Sequence, residues 1–192
     1  MRPDLMHISW EKLQQLVENL AEKIEVDNFQ PDIIIAISRG GFVPARILSD
    51  LLQIQRLTCI QIEYYKGIND TKSEPNLIFP LNADVLGLHV LIVDDVSDSG
   101  TSLIAALDHL KVQGAKSIKT STVHIKPWTK FIPDYYSKEI NKWIVYPWEI
   151  VESLIEITQN MLNQGLSMEN VKHELFKLGF DPIMVKWFNP QK

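Results

Sequence analysis

Residues 90–102 read VLIVDDVSDSGTS, and this stretch decides the fold. Four apolar residues, Val90 to Val93, run into the adjacent acids Asp94 and Asp95, and a short polar loop then leads into Leu103, Ala106, Leu107 and Leu110 at helical spacing. The pattern is strand, loop, helix. In open α/β sheets ligands bind beyond the carboxyl ends of the strands, so a strand ending in paired carboxylates marks a candidate site. The loop Asp98-Ser99-Gly100-Thr101-Ser102 has the composition of an anion cradle: a glycine lets the backbone approach a ligand, and hydroxyls and helix N-terminal amides donate to it. Acids beside such a cradle suit a phosphorylated sugar.

Working outward, the same alternation of strand and helix repeats. Trp10, Leu13, Leu16, Val17, Leu20, Ala21 and Ile24 mark an amphipathic helix behind Ser9, a candidate N-cap. Pro31 introduces the β-branched run Ile33-Ile34-Ile35-Ala36-Ile37, the composition of a strand buried on both faces, which ends at Ser38-Arg39-Gly40-Gly41. A helix over Pro44 to Leu52 and a strand over Thr58 to Tyr64 follow. Downstream, Gly114 stops the central helix, and Ser117 to Ile125 is a strand finishing at His124-Ile125-Lys126-Pro127. Strands alternating with helices predict an α/β fold, a mostly parallel sheet flanked by helices.

Three segments break the alternation. Tyr65 to Leu81 is polar and without clear period, and reads either as a lid or binding loop or as a small hairpin. Trp128 to Trp148, rich in aromatics and prolines, reads as an irregular cap with one short strand. Beyond Glu149 the chain is helical through Val151, Leu154, Ile155, Ile157, Met161 and Leu162, and a second helix is expected from Ser167 to Leu178 before Gly179. The tail FDPIMVKWFNPQK has apolar residues that pack on the core or on another subunit. The expected organisation is one domain over residues 1–149, with its hood at about 126–148, and a helical extension over 150–192.

Composition narrows the function classes. Apolar residues make up 45% and charged residues 22%, ordinary for a globular chain. A net charge of -5 argues against a general nucleic-acid binder, which needs a basic surplus to neutralise phosphates. Cys59, the only cysteine, excludes an intrachain disulfide and reads as a buried, inert thiol. No apolar run approaches the roughly 18 residues that span a bilayer, and the N-terminus has no signal-peptide core, so the expected location is cytoplasmic and no membrane partner is expected.

The candidate side chains each carry a bland alternative. Asp94 and Asp95 could accept from vicinal ribose hydroxyls, with one of them holding Mg2+, or could merely face solvent. Asp98 could act as a general acid or base toward a substrate nitrogen, or as an ordinary N-cap. Ser38-Arg39-Gly40-Gly41 is a second anion candidate, since adjacent glycines permit unusual dihedrals and Arg39 offers a fork to phosphate oxygens. The GxxxxGK[ST] loop and the GxGxxG fingerprint are both absent, which excludes the ordinary nucleotide hydrolase and dinucleotide classes.

VLIVDDVSDSGTS resembles the phosphoribosyl-pyrophosphate (PRPP) motif of type I phosphoribosyltransferases, in which apolar residues lead to two acids and a D-T/S-G-x-T/S loop. SRGG followed by an apolar residue and Pro44 resembles that family's pyrophosphate loop. HIKP and NKWIVYPWE are similar to the purine-binding lysine segment and hood of the 6-oxopurine enzymes, most closely the bacterial xanthine-guanine type and its archaeal relatives. The resemblance covers about Ile33 to Glu149.

It implies that Asp94 and Asp95 bind ribose hydroxyls, with Asp95 contacting Mg2+, and that Asp98 faces purine N7 as acid or base. Ser99, Gly100, Thr101 and Ser102 would hold the 5'-phosphate, and Ser38, Arg39, Gly40 and Gly41 the pyrophosphate. Lys126 would donate to O6 of the base, Trp143 would stack on the purine, and the Ile144 carbonyl would accept from its edge. Trp143 could equally belong to the core. Tyr64, Tyr65 and Lys66 begin what resembles the mobile catalytic loop. Ser99 replaces the more usual threonine, and Glu149 stands where a shorter acid is common.

The implied activity is transfer of phosphoribosyl from PRPP to N9 of guanine, hypoxanthine or xanthine, by a Mg2+-dependent homodimer or homotetramer whose partners are PRPP and a purine base. A pyrimidine or orotate enzyme, a PRPP-sensing regulator and a non-catalytic interaction protein are the alternatives.

Overall fold

The structure, a computed structural model, describes residues 3–65, 74–182 and 185. In chain order its elements are β1 (Leu5–His7), α1 (Trp10–Val26), β2 (Ile33–Ser38), α2 (Phe42–Leu51), β3 (Leu57–Tyr65), β4 (Glu74–Phe79), β5 (His89–Ser97), α3 (Thr101–Val112), β6 (Ser117–Ile125), β7 (Tyr135–Glu139), β8 (Trp143–Val145), α4 (Ile150–Asn163) and α5 (Met168–Lys177). The chain separates into two compact units, Leu13–Asn141 and Met1–Lys12 with Lys142–Lys192. The boundary expected from sequence lies at 149/150, whereas these units divide at Lys12 and at Lys142.

The larger unit is built on a six-stranded sheet in the order β4-β3-β2-β5-β6-β7. Every neighbouring pair is parallel except β3 with β4. The reason for the continuous apolar runs is visible at β2 and β5. Ile33, Ile35, Ile37, Val90 and Ile92 enter one cluster with Ile60 and Ile62 of β3 and with Leu103, Ala106 and Leu110 of α3. The alternate residues Ile34, Ala36, Leu91 and Val93 have no exposure either, so both faces of these strands are buried and neither face can be polar. Burying each α3 leucine stabilises the fold by about 2 kcal/mol relative to exposure.

Sequence reading and structure differ at three places in this unit, and at a fourth the structure shows one of two readings left open. β5 does not stop at the acids; it continues to Ser97, so Asp94 and Asp95 are strand residues within the ladder to β6. The expected cap contains β7, which adds to the main sheet and is anchored by Asp134, whose Oδ2 accepts from the Thr120 N–H and hydroxyl at 2.8 Å each. The expected Tyr65–Leu81 connection contains β4, antiparallel to β3, the hairpin alternative; residues 66–73, including Lys66, lie outside the described residues. Cys59 is half-buried rather than buried; it alternates with Ile60, which takes the face of β3 turned to the core.

In the smaller unit β1 and β8 form a two-stranded parallel sheet, with Leu5 opposite Trp143 and His7 opposite Val145. Val145, Leu154, Ile157, Met161, Val171, Leu175 and Phe180 form its core. Ser167 caps α5, its hydroxyl accepting from Asn170 N at 3.3 Å. Phe180 and Val185 of the tail pack in this core; 183–184 and 186–192 are outside the described residues. Among the described residues no helix is long and apolar enough to cross a membrane.

Candidate active site

The carboxyl ends of the adjacent strands β2 and β5 carry the two loops singled out from sequence. Ala36 pairs with Val93, so the ladder brings Ser38, the last residue of β2, to the level of Asp95. The first loop is a tight turn in which Gly41 N donates to Ile37 O at 2.9 Å and Phe42 N to Arg39 O at 3.2 Å; the Ser38–Arg39 peptide is cis.

Both glycines are required by space rather than by dihedral freedom, a correction to the sequence reading. Neither is among the residues with positive φ. A Cβ on Gly40 would lie 2.1 Å from Asp95 Oδ2, and one on Gly41 would lie 2.4 Å from Val93 O and 2.6 Å from Ile37 O. The first loop therefore rests directly on the Asp95 carboxylate and on the β5 backbone before it.

Asp94 and Asp95 are both buried, at 9% and 8% exposure. Asp94 Oδ1 accepts from Asp95 N at 2.9 Å. Burial, then the neighbouring Asp95 carboxylate, push the Asp94 carboxyl well above its ordinary 3.8. Two hard oxygen donors held together against their mutual repulsion fit a divalent cation such as Mg2+. No group of three or more metal-ligating side chains occurs among the described residues, so remaining ligands would come from substrate oxygens and water, the usual habit of Mg2+.

The second loop enters α3 through Gly100, at φ 81°, whose Cβ position falls 2.5 Å from Phe131 Cβ. Gly100 is the N-cap of α3. Asp98 thus does not fill the N-cap role that was its bland alternative. The Ser99 and Thr101 hydroxyls lie 2.6 Å apart, and Thr101 N donates to Ser99 Oγ at 3.4 Å. A cavity of about 210 Å³ is lined by Asp94, Ser97, Asp98, Ser99, Gly100 and Ser102. With the helix N-terminus behind it, this hollow suits a phosphate.

β5 and β6 end together, Ser97 opposite Ile125, so Asp98 and Lys126 are the next residues of neighbouring strands. Lys126 N donates to Ser97 O at 3.0 Å. Lys126 is buried at 7% exposure, and burial pulls its ammonium below the ordinary 10.5 against the opposing pull of the Asp98 charge. Two residues earlier, within β6, His124 is fully buried, and burial with the Lys126 and Lys138 charges lowers its imidazole from 6.5 to about 4.

One side chain here escaped the sequence reading. Trp128 donates from Nε1 to Asp98 Oδ1 at 2.6 Å, and its ring lies 5.5 Å from Lys126 Nζ. The only available signal was its place just after Lys126-Pro127, in a turn-forming stretch.

Of the remaining expected residues, Trp143 and Ile144 belong to β8 in the smaller unit. Trp143 is partly buried against that unit's core, and Ile144 is buried. Glu149 Oε1 accepts from Tyr146 N at 3.3 Å, at the start of α4. A larger hollow of about 750 Å³ lies at the amino ends of β2 and β5, lined by Phe29, Pro31, Asp32 and His89; it has no glycine loop or helix N-terminus, and the chemistry sits in the smaller cavity.

Residues 9–152 match the family model for the phosphoribosyl transferase domain. The chain is 29% identical to the hypoxanthine-guanine phosphoribosyltransferase of Saccharomyces cerevisiae, over 84% of this chain and 93% of that one. It is 29% identical to the xanthine-guanine phosphoribosyltransferase of Cereibacter sphaeroides, over 78% and 90%. The crystal structure of a purine phosphoribosyltransferase from Pyrococcus horikoshii superposes with a TM-score of 0.69 at 38% identity, covering 76% of this chain and 93% of that one.

Proposed function

The chain belongs to the phosphoribosyl transferase domain family, and from that premise we propose that it transfers the 5-phosphoribosyl group of PRPP to N9 of a 6-oxopurine, releasing pyrophosphate, in purine salvage. The observation that supports this reading best is the pairing of Asp98 with Lys126 at the ends of adjacent strands, beside the phosphate-type cavity. A carboxylate and an ammonium side by side match N7 and O6, neighbours on one edge of a 6-oxopurine. A pyrimidine lacks N7 and the five-membered ring that carries it, and offers only N3–H beside O4 on a single ring.

In this reading the amides and hydroxyls of Ser99, Gly100, Thr101 and Ser102 hold the 5'-phosphate, and Asp94 and Asp95 accept from the ribose hydroxyls. Ser38, Arg39, Gly40 and Gly41 hold the pyrophosphate, with the Arg39 guanidinium forking onto its oxygens. Mg2+, bound through Asp95, would supply charge neutralisation to the leaving pyrophosphate. Lys126 donates to O6, and Asp98 accepts or steers the N7 proton as N9 attacks C1'. The sequence resemblance adds Trp143 as a stacking surface and the Ile144 carbonyl as an acceptor for the base. It also extends the reading to a homodimer or homotetramer in the cytoplasm.

The test is a pyrophosphate-release assay with PRPP, Mg2+ and each of guanine, hypoxanthine, xanthine, orotate and uracil, repeated with Asp98→Asn. Turnover is expected with one or more purines and with neither pyrimidine. Asp98→Asn is expected to lower kcat by about 100-fold or more. Turnover of orotate alone would replace the purine reading by a pyrimidine one, and an unchanged Asp98→Asn rate would remove Asp98 from its role.

A further inference from the structure

We propose that Trp128 is a positioning residue that sets Asp98 and Lys126 as one unit, an inference that rests on the reading of those two side chains as the base-facing pair. The indole Nε1–H donates to Asp98 Oδ1 at 2.6 Å, and the ring lies 5.5 Å from Lys126 Nζ. One rigid side chain thus touches both groups.

The backbone around it is built to hold that geometry. Thr129 N donates to Lys126 O at 3.0 Å, closing a turn with Pro127 and Trp128 at its centre, where the proline ring pre-sets the first central dihedral. The turn is strapped to the phosphate loop: Lys130 N donates to Ser99 O at 3.2 Å, the Ser97 hydroxyl donates to Phe131 O at 2.8 Å, and Phe131 packs on Gly100. Despite this anchoring the Trp128 side chain remains 56% exposed, so core packing does not account for a tryptophan here.

The chemistry of the indole suits the task. Its N–H is a donor only, so it orients one carboxylate oxygen without ever competing as an acceptor for a proton from the base. Asp98 on a loop otherwise has several rotamers; with Oδ1 held, Oδ2 has a defined direction. The ring face attracts the ammonium of Lys126, which burial disfavours.

The experiment is a double-mutant cycle on the intact protein. Trp128→Phe keeps a ring face and removes the N–H; it is measured alone and in the Asp98→Asn background, with separate KM values for PRPP and for the base. A charge-assisted hydrogen bond at a half-exposed site sets the expected loss in kcat/KM for the purine at about 10-fold, with KM for PRPP unchanged. In the Asp98→Asn background the same change is expected to cost less than about twofold, because the amide there has no carboxylate oxygen left to aim at the base.

Nitrogen–proton spectra of the ligand-free protein give a readout independent of turnover. The indole signal missing in Trp128→Phe is expected to shift in Asp98→Asn. Equal costs in both backgrounds, a wild-type kcat/KM for Trp128→Phe, a proportional rise in KM for PRPP, or an unmoved indole signal each overturns the role of Trp128. An Asp98→Asn enzyme as fast as wild type overturns the base-facing reading and this role with it.

Discussion

Replacing Gly40 and Gly41 in turn by alanine introduces the same methyl group at adjacent positions, and the structure assigns the two variants opposite failures. A Cβ at Gly40 meets Asp95 Oδ2 at 2.1 Å, so the carboxylate must withdraw by about 1.3 Å to reach the 3.4 Å of ordinary contact. Asp95 is a side chain and can rotate away, at an off-rotamer cost of about 1 kcal/mol. A displacement of that size at a substrate-positioning group lowers turnover by about 100-fold.

A Cβ at Gly41 meets only backbone, Val93 O at 2.4 Å and Ile37 O at 2.6 Å. Relief requires β2 and β5 to spread by about 1 Å through a core with no slack, which costs about 3 kcal/mol. Thermal unfolding reads the difference. Gly41→Ala is expected to lower Tm by roughly 6–12 °C, and Gly40→Ala by roughly 2–4 °C. Gly40→Ala that retains wild-type kcat and KM for PRPP, or that destabilises the fold as much as Gly41→Ala, would refute the argument from space.

His124 supplies a pH dependence. With its imidazole at about 4 in the folded state and 6.5 as its ordinary value, the unfolded chain binds a proton that the folded chain refuses, so stability is full above about pH 6.5 and falls as pH drops toward 4. The loss between pH 7.5 and 5 is about 2 kcal/mol; denaturant titrations at both pH values should show it in the wild type and a smaller loss in His124→Gln, and equal losses would contradict it. Gly100→Ala strains a residue at φ 81° and drives a Cβ to 2.5 Å from Phe131, so a Tm decrease and a higher KM for PRPP are expected; an unshifted Tm counts against the packing described. Asp95→Asn removes one member of the carboxylate pair, and the thermal stabilisation by PRPP with Mg2+, about 2.7 kcal/mol at a hundredfold excess over Kd in the wild type, should be lost. Retained stabilisation would place the metal elsewhere.

The strand-loop-helix frame of β2, β5, α3 and β6 was legible in the sequence because its information is local. A run such as Ile33–Ile37 announces burial on both faces through its own composition, and Gly100 followed by Leu103, Ala106 and Leu110 announces a helix start within a few residues. The short strands were only partly legible: one was expected within Trp128–Trp148, without bounds, where the structure has both β7 and β8. β1 and β8 have three residues each, too few to show a period, and they exist by pairing across most of the chain length. β7 was hidden for a related reason, being a five-residue edge strand with only Tyr135 fully buried.

The chemistry divides along the same line. Residue types and spacing made candidates of Asp94, Asp95, Asp98 and the SRGG turn, and the family resemblance added Lys126. Only the tertiary structure decided what each glycine is for, since the clash of Gly40 with Asp95 depends on the β2–β5 register across a separation of 55 positions in the chain. It alone released Asp98 from the N-cap role and joined it to Trp128, because a hydrogen bond between residues 30 apart leaves no periodic trace in the chain. Composition and period encode burial, a property of one segment at a time; the direction in which a carboxylate points is set by contacts between segments.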